Sequence, residues 1–240
     1  MAYKLEDCSL YVKKTINKTP IIMFQDHNMA LPVWGTVANT LKQSLGLITF
    51  DFHADTHDAF AAAIGPHDFD YKRFEKDVLK ATKHGIDNFC FEDVFKIACS
   101  YVANDEHILT AYLFKYINKY HIFCALPQDE LVSFEREDRI RGADAFYHSR
   151  LSIKNMDDKE IHELCEKPYI LDFDLDYFTS RQIIDSMLIK KLSILIQKAT
   201  VITIAREPHY FDCEKTDESF QNEEALHLLL DIIDSALATH

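Results

Sequence analysis

Short apolar runs, separated by longer stretches with helical periodicity, set the pattern of this chain. Residues 21–24, 47–50, 121–125, 169–171 and 201–204 are apolar almost without interruption. Runs of that length that do not alternate with polar residues read as strands buried on both faces, and so as a mostly parallel sheet. Between them, apolar residues recur at helical spacing over 31–45, 71–83, 92–102, 157–165, 181–199 and 223–237. Gly85 closes the second of these. In the fifth, Ile183, Ile184, Met187, Leu188, Leu192, Leu195 and Ile196 share one face and are core residues. Alternating strand and helix predicts a three-layer α/β/α fold. No internal repeat, low-complexity tract or Pro/Gly/Ser-rich linker divides the chain, so residues 1–240 read as a single domain.

The polar residues that end these strands carry the chemistry. Asp26-His27 follows the first strand and Asp51-Phe52-His53-Ala54-Asp55 the second. Asp172-Phe173-Asp174-Leu175-Asp176 follows the fourth and Arg206-Glu207 the fifth. Along an extended backbone, side chains at i and i+2 point the same way. Asp51, His53 and Asp55 can therefore converge, as can Asp174 and Asp176. In open α/β sheets the ligand crevice lies at the carboxyl ends of the strands. Carboxylates crowded there repel one another unless a cation neutralises them, and carboxylates mixed with imidazoles suit a hard or borderline divalent ion.

Blander readings stand beside these. Asp and His are common in caps and turns. Asp58 reads as the cap of a helix over 59–63. His57 is either a solvated loop residue or a substrate contact, and His67 sits in the turn Gly65-Pro66-His67-Asp68. Glu207 either faces a cation in the crevice or pairs with Arg206. His209 and Tyr210 stand near the rim.

Composition narrows the partners. A net charge of -13 argues against broad binding to nucleic acid or to an anionic membrane. The six cysteines form no Cys-x-x-Cys pair, which reads as reduced thiols in a cytoplasmic protein. The first residues carry no signal-peptide apolar stretch, and no apolar segment reaches the roughly 18 residues of a membrane span. No glycine-rich phosphate loop is present.

The strand-end motifs resemble those of the arginase and agmatinase (ureohydrolase) superfamily. That superfamily's middle motif, Asp-Ala-His-x-Asp, is matched by Asp51 to Asp55. Its later motif, Ser-Phe-Asp-x-Asp-x-x-Asp-Pro, is matched by Asp172 to Ser180 without the trailing Asp-Pro. Of its first motif, Gly-Gly-Asp-His, only Asp26-His27 remains. The pattern is more similar still to a distinct arginase-like family that includes bacterial peptide arginases, which convert arginine to ornithine within ribosomally made precursor peptides.

The resemblance implies an arginase-like α/β/α domain around two Mn2+ ions. One ion would be held by His27, Asp51, Asp55 and Asp174, the other by Asp51, His53, Asp174 and Asp176, so that Asp51 and Asp174 bridge. Asp55 would also hold the nucleophile by a hydrogen bond, His67 would carry a proton to the departing amine, and Glu207 would orient the guanidinium. Arginases have an asparagine, here His57, that helps hold the free amino acid's carboxylate, and the chain is short for an arginase. Both features fit an open site taking an arginine side chain from a precursor peptide, with urea and ornithine as products. The alternatives are a hydrolase of free arginine or agmatine, a metal-dependent amide deacetylase, and a metal-binding protein without turnover. A phosphatase of the haloacid dehalogenase type would use Asp172 and Asp174 but leave Asp51, His53 and Asp55 unexplained. Oxygen-rich ligation with two histidines fits manganese better than a metal that prefers thiolates, and leaves iron, cobalt and zinc open.

Overall fold

In the computed structural model, residues 12–16, 19–64, 69–82, 86–87, 89–165 and 168–238 are described. The apolar runs become the strands β2 (Thr19–Phe24), β3 (Leu45–Phe50), β4 (Ile117–Cys124), β6 (Tyr169–Asp174) and β7 (Val201–Ala205). Two further strands flank them, β1 (Val12–Ile16) and β5 (Asp144–Ser149). One seven-stranded sheet results, in the order β1-β2-β7-β6-β3-β4-β5. Only the β1–β2 pair is antiparallel; all other neighbours are parallel.

The helices are α1 (Ala30–Leu41), α2 (Ala61–Ile64), α3 (Tyr71–Thr82), α4 (Phe91–Tyr101), α5 (His107–Leu113), α6 (Gln128–Ile140), α7 (Asp158–Leu164), α8 (Ser186–Lys198), α9 (Pro208–Glu214) and α10 (Asn222–Ala238). They bury the sheet from both sides. Trp34, Val94, Ile97, Ile108 and Leu131 pack on one face with Leu45, Leu47, Ile122 and Ile170. Leu188, Leu192, Leu229 and Ile233 pack on the other with Ile48, Phe50, Leu171, Phe173 and Ile202. The three-layer α/β/α architecture expected from the sequence is the observed one.

Local physics moves several boundaries. The helix expected over 31–45 stops at Leu41 because Lys42 turns left-handed (φ 55°) and the chain then enters β3. The segment 181–199 is broken. A single 3-10 turn at Arg181–Ile183 precedes α8, whose N-terminus Asp185 caps by accepting from the Leu188 N–H at 2.9 Å. Asp58 does not cap with its carboxylate, which instead meets Arg141 at 2.8 Å. Gly85 lies outside the described residues.

Candidate metal centre

Four strands that are neighbours in the sheet, β2, β7, β6 and β3, end on the same edge. The segments leaving them carry His27, Glu207, Asp174 with Asp176, and Asp51 with His53 and Asp55. Strands far apart in sequence thus bring six candidate ligands and one further carboxylate to a single crevice.

Short local hydrogen bonds aim the carboxylates. Asp51 Oδ1 accepts from the His53 N–H at 2.7 Å, Asp176 Oδ1 from the Phe52 N–H at 3.0 Å, and Asp174 Oδ1 from the Asp176 N–H at 3.2 Å. Each aspartate is held by one oxygen, and its second oxygen is left over. Asp55 Oδ2, Asp174 Oδ2 and Asp51 Oδ2 lie 3.1, 3.3 and 3.5 Å from His27 Nδ1. Asp176 Oδ2 lies 3.1 Å from His53 Nδ1. His27, Asp51 and Asp55 form one group with metal-binding spacing, Asp51, His53 and Asp176 a second, and His27, His107 and Asp172 a third. Asp51 belongs to the first two, and Asp174 adjoins the first through His27. His27 is fully buried whereas His53 is 41% exposed, so the first group is deep and the second lies at the mouth.

The electrostatics are those of a site short of positive charge. Burial, together with Asp55, Asp176 and Asp174, holds the Asp51 carboxyl well above the usual carboxylate range. Burial and Asp176 do the same to Asp174. Burial pushes Glu207 up to about 7. The hydrogen bond to Asp176 outweighs burial at His53 and raises it to about 9. At His27 burial opposes the charge, but Asp172, Asp174 and Asp55 prevail and hold it well above its ordinary value. Three atoms that face the crevice, His27 Nδ1, Asp51 Oδ2 and Asp176 Oδ2, are buried without a hydrogen-bond partner. An orphaned buried polar atom costs about 1–3 kcal/mol, and more when charged. Divalent cations in these groups would supply the missing partners and the missing charge, so the donor set fits them.

Two residues of the site stand in the left-handed region that side chains other than glycine rarely adopt. These are Asp55 (φ 50°) and Glu207 (φ 34°). Such strain persists where surrounding structure imposes it, and it clusters at functional sites. Glu207 is buried and accepts from the His27 N–H at 2.9 Å. It does not pair with Arg206, whose guanidinium meets Glu223 and Asn222 instead.

His57 lies apart from these groups, exposed and paired with Asp105 at 3.0 Å. His67 lies outside the described residues. Tyr210 packs edge-on against the His53 ring at 5.9 Å, at the rim.

Three residues here were not predicted from the sequence as members of the site. Asp172, fully buried, lies 2.8 Å from His27 Nε2. His107, at the start of α5, lays its ring 4.0 Å from that of His27; its Nδ1–H donates to the Asn104 carbonyl at 2.6 Å. Burial and the neighbouring His27 push its pKa well below the ordinary value. Arg150, half-buried after β5, places its guanidinium 5.4 Å from the Phe52 ring centroid. Asp172 had a readable signal, as the first acid of a strand-end motif. His107 and Arg150 had none, because the elements that position them carry weak periodicity.

A model of the arginase family matches residues 5–111, a span that holds His27, Asp51, His53 and Asp55 and stops before Asp174. Comparison with curated protein sequences returns no match. Among solved structures, the proclavaminate amidino hydrolase from Streptomyces clavuligerus superposes with a TM-score of 0.53 at 11% identity, covering 92% of this chain. An arginase from Medicago truncatula gives 0.46 at 11% identity, covering 89% of this chain. The chain spans 65% of the length of the first and 58% of the second. The fold of this chain is arginase-like, with candidate metal-ligand clusters at its strand ends.

Proposed function

We propose that this protein is a hydrolase of the ureohydrolase type, with two manganese ions held by His27, Asp51, His53, Asp55, Asp174 and Asp176, and that it cleaves the guanidinium group of arginine residues in a precursor peptide. The observation that carries this reading is the pair of ligand groups sharing Asp51, with buried atoms left unpartnered in both. The match of the arginase family model to the segment that supplies four of the ligands supports the same reading. When bound, the cations supply a water whose pKa is lowered towards neutrality.

The chain's own residues account for the rest. Glu207 gives one carboxylate oxygen to the His27 N–H and keeps the other for the substrate. A guanidinium bound there donates a charge-assisted hydrogen bond, which fixes its carbon over the crevice. Asp55 accepts a hydrogen bond from the attacking water. Water adds to the guanidinium carbon, the bond from that carbon to the side-chain nitrogen breaks, and a proton moves to the departing amine, leaving ornithine and urea. His67 is assigned that proton transfer.

The open mouth, with His53 partly exposed and His57 exposed beyond it, is what an arginine side chain presented by a peptide needs. A reducing cytoplasmic setting belongs to the same reading, in keeping with the five described cysteines, which form no disulfide. No helix among the described residues is long and apolar enough to cross a membrane.

The test is urea release by manganese-loaded protein, with free arginine and an arginine-containing peptide in parallel and mass spectrometry on the peptide. Urea from the peptide, with loss of CN2H2 from arginine, is the expected result. Urea from free arginine alone would make this a hydrolase of the free amino acid.

A further inference from the structure

One buried carboxylate near the site is not among the proposed ligands. Asp172 faces away from the cation groups, on the far side of the His27 ring. Its Oδ2 accepts from His27 Nε2 at 2.8 Å, and both residues are fully buried. The same oxygen accepts from Thr49 Oγ1 at 2.9 Å, and Oδ1 accepts from Thr203 Oγ1. Thr203 Oγ1 in turn receives the Trp34 Nε1–H at 3.3 Å.

This arrangement follows from strand register. Thr49 on β3 is the direct partner of Asp172 on β6, and Asp172 of Thr203 on β7. Three polar side chains therefore stand in a row across three neighbouring strands that are otherwise apolar at these positions. The indole of Trp34, from α1, ends the row. Each threonine hydroxyl in it donates its proton to the carboxylate. Asp172 accepts from three donors at once, and both of its oxygens take part.

We propose that Asp172 is a positioning residue that keeps the proton of His27 on Nε2 and so leaves Nδ1 as the bare ligand nitrogen. An imidazole is a useful ligand only through a nitrogen without a proton, and the hydrogen bond made by the other nitrogen decides which one that is. On the Nδ1 side, three carboxylate oxygens lie between 3.1 and 3.5 Å, yet Nδ1 makes no hydrogen bond to any of them. They surround the nitrogen as fellow ligands do and do not line up with a ring proton. The Asp172 side of the ring is the reverse, with a single well-formed bond. The His107 ring packs against that of His27, tilted by 33° with centroids 4.0 Å apart.

The consequence for cations rests on the metal reading of the site, whereas the position of the proton is a property of the protein alone. Two measurements keep them apart. In metal-free protein with 15N-labelled histidine, long-range proton–nitrogen correlation identifies which nitrogen of His27 is protonated. In the neutral ring Nε2 is expected to carry the proton, with Nδ1 the bare nitrogen. A proton-free Nε2 in the neutral ring overturns the proposal.

The second measurement is Mn2+ affinity by competition with a chelating dye. Asp172→Asn is expected to weaken binding by about 10- to 100-fold. Paired Thr49→Val and Thr203→Val, which remove the hydroxyls but keep the shape, are expected to weaken it in the same direction by less. Affinity within twofold of wild type in a folded Asp172→Asn protein overturns the proposal. Should the wild type bind no Mn2+ while Nε2 keeps its proton, the metal reading fails and the assignment of Asp172 stands.

Discussion

Glu207 and His27 are joined backbone to side chain: a carboxylate oxygen of Glu207 accepts the N–H of His27 at 2.9 Å, across 180 residues of sequence. The bond ties the end of β7 to the end of β2, which are adjacent strands. It also commits one oxygen of a buried, strained residue and leaves the other outside that bond.

Replacing Glu207 by alanine should therefore leave metal content unchanged and impair turnover. A charge-assisted hydrogen bond is worth about 1.5–3 kcal/mol, so kcat/KM for the guanidine substrate should fall by roughly 10- to 100-fold. Metal analysis and urea assay on the same sample check this. Loss of metal would make Glu207 a ligand and remove it from the substrate.

Asp51→Asn should abolish metal binding and activity together, since Asp51 belongs to both ligand groups. The same change should make the metal-free protein more stable, because burial and three neighbouring carboxylates oppose the charge on Asp51. Thermal melts with and without Mn2+ test both halves. The variant should melt above metal-free wild type and should not respond to metal. A metal-dependent rise in the variant's Tm would contradict the shared-ligand geometry.

The metal-free protein should lose stability as pH rises from about 6.5 to 9. Glu207, at about 7 against an ordinary 4.5, holds a proton in the fold that the unfolded chain has already lost. Asp51 and Asp174 act in the same direction from 3.8 upward. His53, at about 9, and His27 contribute stability that is complete below 6.5 and is lost as pH passes their raised values. His107 and His121, both lowered by burial, act in the opposite sense, but only below 6.5. Bound cations displace the protons, so the gap in Tm between metal-loaded and metal-free protein should widen with pH across this window. A constant or shrinking gap would sink this account of the site's charge.

Away from the crevice, Asp138 is fully buried and accepts from the hydroxyls of Tyr120 at 2.7 Å and Tyr147 at 2.6 Å, and from Arg141 Nη1 at 2.8 Å. Asp138→Ala strands these donors and should cost about 3 kcal/mol, or roughly 6–12 °C in Tm for a domain of this size. Tyr147 also bonds to Thr56, beside Asp55, at 2.6 Å. Urea denaturation of the metal-loaded protein gives the number. A loss below 1 kcal/mol would mean that the network relaxes around water.

Much of the fold was legible because its central strands are apolar on both faces, a pattern that few other structures require. The ligands were legible because strand ends concentrate them in Asp51-Phe52-His53-Ala54-Asp55 and Asp174-Leu175-Asp176. What escaped was structure with little pattern. On α6 only Leu131 and Asp138 are buried, and on edge strand β5 the apolar Phe146 lies on the less buried face between Ala145 and Tyr147, so neither sequence shows a strong period. Arg150 follows β5 and was missed with it. His107 begins a seven-residue helix too short to announce itself. Thr49 and Thr203 did leave a trace, each a single polar residue inside an apolar strand. Their meaning appears only in register, where both meet Asp172.

If two cations share Asp51, anomalous diffraction from manganese-loaded crystals will show two peaks about 3.5–4 Å apart, the deeper beside His27 and the other beside His53, with Asp51 between them. A single peak, or none within reach of Asp51, would contradict the shared site.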